Sequence, residues 1–360
     1  MAIVTTDNQH YTDIAAAIRS KNGTETQYKP SEMAAAISAI SGGGEPEPPD
    51  DGKTRLYITI PANAMPDRPP PRNQVPLYIQ QSVANGVTID WGDGTAPETL
   101  PGTWAANTTH TYEQAGDYVI SLEPAEGCDL SLGHNSNKYC IMGSTNDAGK
   151  VYCNMLKKIY IGKNITSIGN YTFNFCYSLE SLTIPDSVTS IGEYAFNSCY
   201  SLESLTIPDS VTSIGNNAFN SCYSLGSLTI PDSVTSIGNR VLYNCYSLES
   251  LTIPNSVTSI GEYALNYCDS ISSLTISNAI TSIGNNAFGY CRCVKEYHFL
   301  SSTPPTLGGT NVFDSIPSDC IIYVPKGSAE AYKTATNWTT VADKIQEEPD
   351  PIVPEILKVA

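Results

Sequence analysis

The sequence has few charged residues, few histidines and no long apolar run. Only 15% of its 360 residues are charged and only four are histidines. No stretch reaches the roughly 18 consecutive apolar residues of a membrane-spanning helix, so we predict none. Lys and Arg number 19 against 36 Asp and Glu, which gives a formal net charge of −17. Because phosphate groups are bound by clustered basic side chains, this balance argues against nucleic acid and anionic membranes as partners.

The N-terminal residues also lack the features of a secretory signal. The start has no basic segment, and Asp7, His10 and Asp13 interrupt any apolar core. We therefore expect no signal peptide in this chain. That expectation favours a virion component released by lysis, or a chain from which a signal has been removed.

Motifs that carry chemistry are missing as well. The sequence contains no GxSxG, no HExxH and no P-loop, and its histidines lie in separate regions. The acidic residues of the second half recur once per repeat, which is typical of turn formation and solubility. We predict a protein without catalytic residues, cofactor or metal. The histidines are His10, His110, His134 and His298.

What the sequence does contain is a repeat with a period of 23 residues. A fixed period in this range is typical of a solenoid, in which stacked coils share one core. Leu-x-x-Leu-x-Ile predicts one short strand per coil, and Val188–Ile191 predicts a second, closed by Gly192, which can take a positive φ at no steric cost. We expect parallel strands between coils, little or no α-helix and a mostly β fold. The recurring cysteines are Cys153, Cys176, Cys199, Cys222, Cys245, Cys268 and Cys291.

The repeat unit TIPDSVTSIGxxAFxxCxSL resembles the BspA-type bacterial leucine-rich repeat, and Thr303–Trp338 resembles the cap that follows such arrays. The resemblance implies a leucine-rich-repeat solenoid over residues 128–302, including an N-terminal lead-in, and a cap over 303–346. It also implies a surface that binds a ligand, whose identity varies between such proteins. An acidic, proline-rich tail follows at 347–360.

The repeated cysteines are predicted to stack as buried apolar side chains, because they share one register. Disulfides between neighbouring coils are the alternative. Four cysteines lie off this register, and a Cys293–Cys320 bridge into the cap is one pairing to test. The off-register cysteines are Cys128, Cys140, Cys293 and Cys320.

Residues 1–40 are predicted to form two short helices, followed by a flexible linker at 41–53. Helices this short cannot form a core alone, so we expect them to oligomerise or to dock on a partner. This segment resembles the N-terminal part of phage and prophage tail-associated proteins from gut Firmicutes. The resemblance implies attachment to other tail or virion proteins, and the alternative is a frayed leader without a partner.

Residues 54–127 are predicted to form a small β domain. Trp91–Thr95, His110–Tyr112 and Gly116–Tyr118 together resemble a PKD domain, an immunoglobulin-like sandwich that serves as a spacer or adhesion module. Asp90 and Asp93 suggest calcium binding, but an aspartate that caps its own turn is the interpretation we favour. His110 is predicted to be a packed or turn-bonding residue.

Differences between repeats gather after the glycine and around the cysteine. These positions hold Tyr, Asn, Ser and Arg, the residue types that adaptable binding surfaces use. Free drift of solvent-facing loop residues is the alternative. The predicted ligand-binding residues are Tyr171, Tyr194, Tyr200, Tyr223, Arg240, Tyr246 and Tyr263.

Three roles fit these observations. We predict a phage tail protein that binds a bacterial receptor through the solenoid, with a protein or a glycan on the cell surface as the ligand. The first alternative is a bacterial surface adhesin, and the second is a structural virion spacer without a ligand. Homo-oligomerisation is compatible with each role.

Overall fold

The computed structural model describes residues 51–62, 73–102, 106–132, 139–144 and 153–349. The helices and strands of these ranges belong to one compact unit, Gly52–Ala360. The predicted helical module at 1–40 and the tail beyond residue 349 lie outside the described residues. Within the described ranges, no helix combines the length and apolarity needed to cross a membrane.

The N-terminal part of the unit is an antiparallel β module. Its longer strands alternate buried and half-buried side chains, and the buried set includes Leu56, Leu77 and Ile120. β1 pairs with β6, β6 with β3, and β2 with β5. The resemblance of this module to a PKD domain stays a prediction. The strands are β1 (Thr54–Ile60), β2 (Gln74–Gln81), β3 (Val87–Asp90), β4 (Glu98–Thr99), β5 (Ala106–Thr111), β6 (Gly116–Pro124), β7 (Leu130–Leu132), β8 (Tyr139–Cys140) and β9 (Gly143–Ser144).

The repeats form the predicted solenoid, in which each coil contributes one short strand to each of two parallel ladders. In the first ladder the central leucine of Ser-Leu-Thr points inward, while Thr206 and Thr229 are exposed. The strands of this ladder are β10 (Leu156–Tyr160), β12 (Ser181–Thr183), β14 (Ser204–Thr206), β16 (Ser227–Thr229), β18 (Ser250–Thr252), β20 (Ser273–Ile276), β22 (Glu296–Phe299), β24 (Ile321–Val324) and β25 (Ile345–Glu347).

The second ladder contains the Ser-Ile pairs that precede each repeat glycine. Its register is strict, as when Ser236 aligns with Ser259 and Ile237 with Ile260. The strands are β11 (Ile165–Ile168), β13 (Ser190–Ile191), β15 (Ser213–Ile214), β17 (Ser236–Ile237), β19 (Ser259–Ile260), β21 (Ser282–Ile283) and β23 (Thr306–Leu307).

A third side closes each coil, from the residue after the glycine to the residue after the cysteine. We call this part, for example 193–200, the turn side. Backbone amides bond to the next coil here too, since Phe173 N donates to Ala195 O at 2.7 Å. Two residues per turn side have positive φ, which is uncommon for residues other than glycine. The first position holds Tyr171, Tyr194, Asn217, Arg240, Tyr263 and Asn286, and the second holds Phe175, Ser198, Ser221, Asn244, Tyr267 and Tyr290.

The repeat glycine has a different role from the predicted one. Gly192 is not among the residues with positive φ, so conformational freedom is not the reason for glycine at this position. A Cβ at Gly192 would lie 2.5 Å from the backbone nitrogen of Asn170 in the preceding coil. Glycine is therefore required because two coils approach each other closely at this corner.

The N-terminal β module and the solenoid share their sheets. β1 pairs antiparallel with β10, the first strand of the first ladder, and β7 pairs parallel with β11 of the second. On the turn side, Ile141 N donates to Thr172 O at 2.8 Å. Each side of the first coil is thus hydrogen-bonded to the N-terminal module. Hydrogen bonding runs across the predicted boundary between residues 127 and 128.

At the other end, an aromatic cluster closes the solenoid. The helix α1 (Ala329–Thr334) and a 3-10 helix (Trp338–Lys344) bring Tyr332 and Trp338 against Phe299, with ring centroids 5.9 and 5.1 Å from it. Trp338 Nε1 donates to Pro305 O at 2.9 Å, so the buried indole keeps a partner. This arrangement covers the last apolar coil.

The repeated cysteines after the first one are buried free thiols, as predicted. Each thiol from Cys199 onward donates to a backbone carbonyl of the preceding coil, as Cys222 does to Phe196 O at 3.2 Å. The first repeated cysteine departs from the prediction, because Cys153 forms a disulfide with Cys140. The possible Cys293–Cys320 bridge does not form, since both thiols are free and Cys293 is exposed.

Candidate functional site

A column of stacked tyrosines runs along the turn side. Each ring directly follows one of the repeated cysteines, so the strict register of the coils places equivalent rings above one another. Ring centroids of Tyr177 and Tyr200 lie 4.5 Å apart, those of Tyr200 and Tyr223 also 4.5 Å, and those of Tyr223 and Tyr246 5.2 Å. These separations are close to the strand spacing of about 4.8 Å that sets the rise per coil.

The stacked rings expose their edges and bury their faces. Tyr200 and Tyr223 are half-buried, whereas Tyr246 is 40% exposed at the end of the column. Burial and the neighbouring phenols raise the pKa of Tyr223 and of Tyr246. The column therefore carries neutral hydroxyl groups, which can donate and accept hydrogen bonds.

The column continues sideways into further rings. Tyr246 meets Tyr267 edge-on at 6.4 Å, and Tyr267 stacks on Tyr290 at 4.6 Å. Tyr243 lies 5.9 Å from Tyr267 and 6.3 Å from Tyr263. We call this connected set the tyrosine surface. Its members are Tyr177, Tyr200, Tyr223, Tyr243, Tyr246, Tyr263, Tyr267 and Tyr290.

Two arginines pack on these rings. The Cζ atom of Arg240 lies 4.7 Å from the ring centre of Tyr263. The Cζ atom of Arg292 lies 5.8 Å from the ring centre of Tyr267 and 5.7 Å from that of Tyr290. A guanidinium that packs over aromatic rings still has N–H groups available to a ligand.

The structure divides the predicted binding residues into two groups. Tyr200, Tyr223, Tyr246, Tyr263 and Arg240 lie on or against the tyrosine surface. The other two, Tyr171 and Tyr194, stack on each other at 4.9 Å, at the first positive-φ position of their coils. That the seven residues bind a ligand stays a prediction.

The sequence-based selection left out Tyr177, Tyr243, Tyr267, Tyr290 and Arg292. All but Tyr243 lie next to one of the repeated cysteines, at positions that vary between repeats. Tyr243 lies two residues before Cys245. Their connection depends on contacts between rings of different coils. Counting every aromatic or arginine on the turn side would have found them.

The carboxylates of the possible calcium site in the β module form hydrogen bonds with neighbouring residues. Asp93 Oδ1 accepts from Thr95 N at 3.1 Å, so Asp93 caps its own turn as predicted. Asp90 does the same, since its Oδ1 accepts from Gly92 N at 2.9 Å. Asp93 Oδ2 lies 2.6 Å from His110 Nε2. Burial opposes ionisation of Asp93, but the hydrogen bonds from Thr95 and His110 outweigh it and lower its pKa to about 2.

His110 is a packed residue, as predicted. Its ring stacks on Trp91 at 4.8 Å and meets Tyr112 edge-on at 4.8 Å. Its Nε2 atom forms a hydrogen bond with Asp93, so the imidazole stabilises the turn that follows β3. Across the described part of the chain, no three His, Cys, Asp or Glu side chains are grouped to hold a metal ion.

The two parallel ladders, the constant spacing of inward leucines and the 23-residue period define a leucine-rich-repeat solenoid. The family model for the BspA type leucine rich repeat region matches residues 151–226 and 190–315, in six copies. Residues 151–315 of this chain are therefore similar to the BspA type of repeat. A comparison with curated proteins gives no match.

Solved structures of similar repeats come from several bacteria. A leucine rich cell surface protein from Faecalibacterium prausnitzii is 37% identical over 43% of each chain, with a TM-score of 0.39. A T. pallidum leucine-rich-repeat protein is 27% identical over 39% of this chain and 64% of its own, with a TM-score of 0.31. A Bacteroides ovatus leucine-rich-repeat protein is 20% identical over 67% of this chain and 70% of its own, with a TM-score of 0.34. The chain thus spans less than two thirds of the first two proteins.

Proposed function

We propose that this protein binds a partner at a bacterial surface, without catalysis, through the tyrosine surface of its solenoid. The supporting observation is the connected set of eight half-buried or exposed rings on one side of the coils. Tyrosine provides large amphipathic contact area at low entropic cost and is enriched at the energetic centres of interfaces. The strand sides instead repeat Thr and Ile, which β propensity alone explains.

The backbone conformation of the turn side supports a binding role for some of these rings. Tyr263 and Tyr267 have φ of 56° and 63°, a region that costs an L-residue roughly 1–2 kcal/mol. At the equivalent first position, two coils carry Asn217 and Asn286, the residue type that tolerates this conformation best. Tyrosine at a position suited to asparagine therefore points to a use outside folding.

A tail-associated role is the finer form of this proposal. It rests on the sequence of residues 1–40, whose resemblance to phage tail proteins assigns them to attachment within a virion. The solenoid would then contact the receptor on the bacterial cell. The 37% identical protein from Faecalibacterium prausnitzii is named a cell surface protein. A surface adhesin is therefore the second candidate.

Binding to intact bacteria tests the shared claim. Fluorescently labelled full-length protein is incubated with a panel of gut bacteria, beside a variant with Tyr200→Ser, Tyr223→Ser and Tyr246→Ser. We expect the unchanged protein to bind at least one strain and the variant to bind it at least tenfold more weakly. Equal binding by both proteins, or no binding to any strain, would contradict the proposal.

The N-terminal residues separate the two candidates. Deleting residues 1–40 should leave binding to cells unchanged under both. For a tail protein, the deletion should abolish incorporation into particles, as judged by electron microscopy and immunoblotting of purified virions. Unchanged incorporation argues against the attachment role, and absence of the full-length chain from any particle favours the adhesin.

A further inference from the structure

Arg240 is an isolated positive charge on an acidic solenoid. Between Lys163 and Arg292 it is the only Lys or Arg, against nine acidic residues. It lies on the turn side against the tyrosine surface. A single cation at this place meets no local requirement of the repeat, because the other coils carry Tyr or Asn there. The acidic residues are Glu180, Asp186, Glu193, Glu203, Asp209, Asp232, Glu249, Glu262 and Asp269.

The guanidinium of Arg240 is held in place but has no anionic partner within the described residues. It stacks on Tyr263 at 4.7 Å, and its side chain is exposed. In the same part of the chain, no carboxylate forms an ion pair with Arg240 and no acceptor forms a hydrogen bond with its side chain. The contact with Tyr263 restricts the guanidinium, whose paired N–H donors suit a carboxylate or a phosphate.

Arg292 supplies a second guanidinium on the same surface. It packs against Tyr267 and Tyr290, and its Nη1 atom lies 3.7 Å from an Asp269 carboxylate oxygen. That pair is partly exposed, so solvent screening leaves it weak. Tyr243 and Tyr267 connect the ring under Arg240 to the rings under Arg292. Two cations therefore flank a continuous patch of neutral phenols.

We propose that the tyrosine surface binds an anionic glycopolymer, with Arg240 as the contact to its carboxylate or phosphate groups. This inference rests on the proposed binding function and names its ligand class. A polymer fits because the phenols repeat at 4.5–5.2 Å along the coils, so a ligand with its own repeat can make the same contact several times. Neutral phenol hydroxyls suit a polyhydroxylated chain, and the arginines suit its charges.

The test is calorimetric titration of the full-length protein with defined polymers. Oligogalacturonate supplies carboxylates and poly(glycerol phosphate) supplies phosphates, so the two arms distinguish the source of the charge. Maltoheptaose is the neutral control and polyglutamate the acidic peptide control. We expect one anionic glycopolymer to bind with an affinity that falls as salt rises, and both controls to bind at least tenfold more weakly.

Variants of Arg240 test the assigned contact. Arg240→Gln should weaken binding of the anionic glycopolymer about tenfold, and Arg240→Lys should recover only part of it because the planar donor pair is lost. Lys333→Gln makes the same change in charge on helix α1 of the cap and should leave affinity unchanged. Melting temperatures of all three variants are measured to exclude misfolding.

Several results would overturn the proposal: binding of neither anionic polymer, equal binding of maltoheptaose or polyglutamate, or full affinity of Arg240→Gln. Cell binding separates this failure from that of the proposed function. If the triple tyrosine variant loses cell binding while Arg240→Gln retains it, the ligand class is wrong and the binding role stands. If neither variant changes cell binding, both are wrong.

Discussion

The strand sides and the turn side of the same coil differ in how much their sequence varies between repeats. On the strand sides, Ser-Leu-Thr and Ser-Ile recur almost unchanged, and each inward side chain faces the same neighbour one coil away. On the turn side, hydrogen bonds between backbones fix the path of the chain, as from Tyr194 N to Asn216 O at 3.0 Å. The outward side chains there differ between coils, whereas inward ones such as Phe196 and Cys199 are buried and recur. The solenoid thus separates a constant framework from a variable surface.

The largest expected effect concerns the thiols beneath the turn side. Burial raises the pKa of Cys222 to about 12 from an ordinary value of 9.0. A raised pKa leaves less thiolate, the reactive form, at a given pH, so Cys222 should resist alkylation well above pH 8. Mass spectrometry after brief alkylation of the native protein should find Cys293 modified and Cys222 unmodified. Rapid modification of Cys222 would show that the repeated cysteines lie outside the core.

The next effect concerns the corner where the two sides meet. Gly261→Ala would place a Cβ 2.6 Å from the backbone of Gly238 and Asn239. We expect a loss of about 3 kcal/mol in the free energy of unfolding, measured by urea denaturation. The matched control is Gly226→Ala, whose Cβ would have Glu203 O as its nearest neighbour at 3.9 Å, so stability should be unchanged. Equal effects of the two substitutions would contradict the close-approach explanation.

A smaller effect is expected where the turn side contributes to stability. Replacing Tyr200, Tyr223 and Tyr246 by serine removes two stacked, one tilted and one edge-on ring contact, each worth about 0.5–1.5 kcal/mol. We expect a total loss of about 2 kcal/mol, with the native circular dichroism spectrum retained. The column therefore stabilises the fold as well as forming the surface. Complete unfolding of the variant would make these rings part of the core.

The smallest effect sharpens the comparison most. Tyr263→Asn exchanges tyrosine for the residue type that two other coils carry at this positive-φ position. Relief of backbone strain should offset loss of the Arg240 contact, leaving the melting temperature nearly unchanged while binding to cells falls. Tyr200→Asn is the control, since Tyr200 does not have positive φ and gains no such relief. A marked loss of stability from Tyr263→Asn would remove the argument from strain.

The repeat spacing was sufficient to predict the solenoid, its two strands per coil and its buried thiols. The local sequence pattern could not explain why position 192 requires glycine, because the atoms that exclude a side chain belong to a residue 22 positions earlier. The same limit applies to Cys153, whose partner Cys140 lies outside the repeat, and to β1, which pairs with β10 about 100 residues later. Sequence pattern also recognised the variable positions. It could not show that rings of different coils join into one surface through Tyr243 and Tyr267.

The central claim is that binding resides on the variable turn side and not on the constant strand side. Two triple variants of the full-length protein test it directly in one cell-binding assay. One carries serine at Tyr200, Tyr223 and Tyr246, and the other carries alanine at the exposed threonines Thr206, Thr229 and Thr252. We predict at least a tenfold loss of affinity for the tyrosine variant and less than a twofold change for the threonine variant. The reverse pattern would contradict the account.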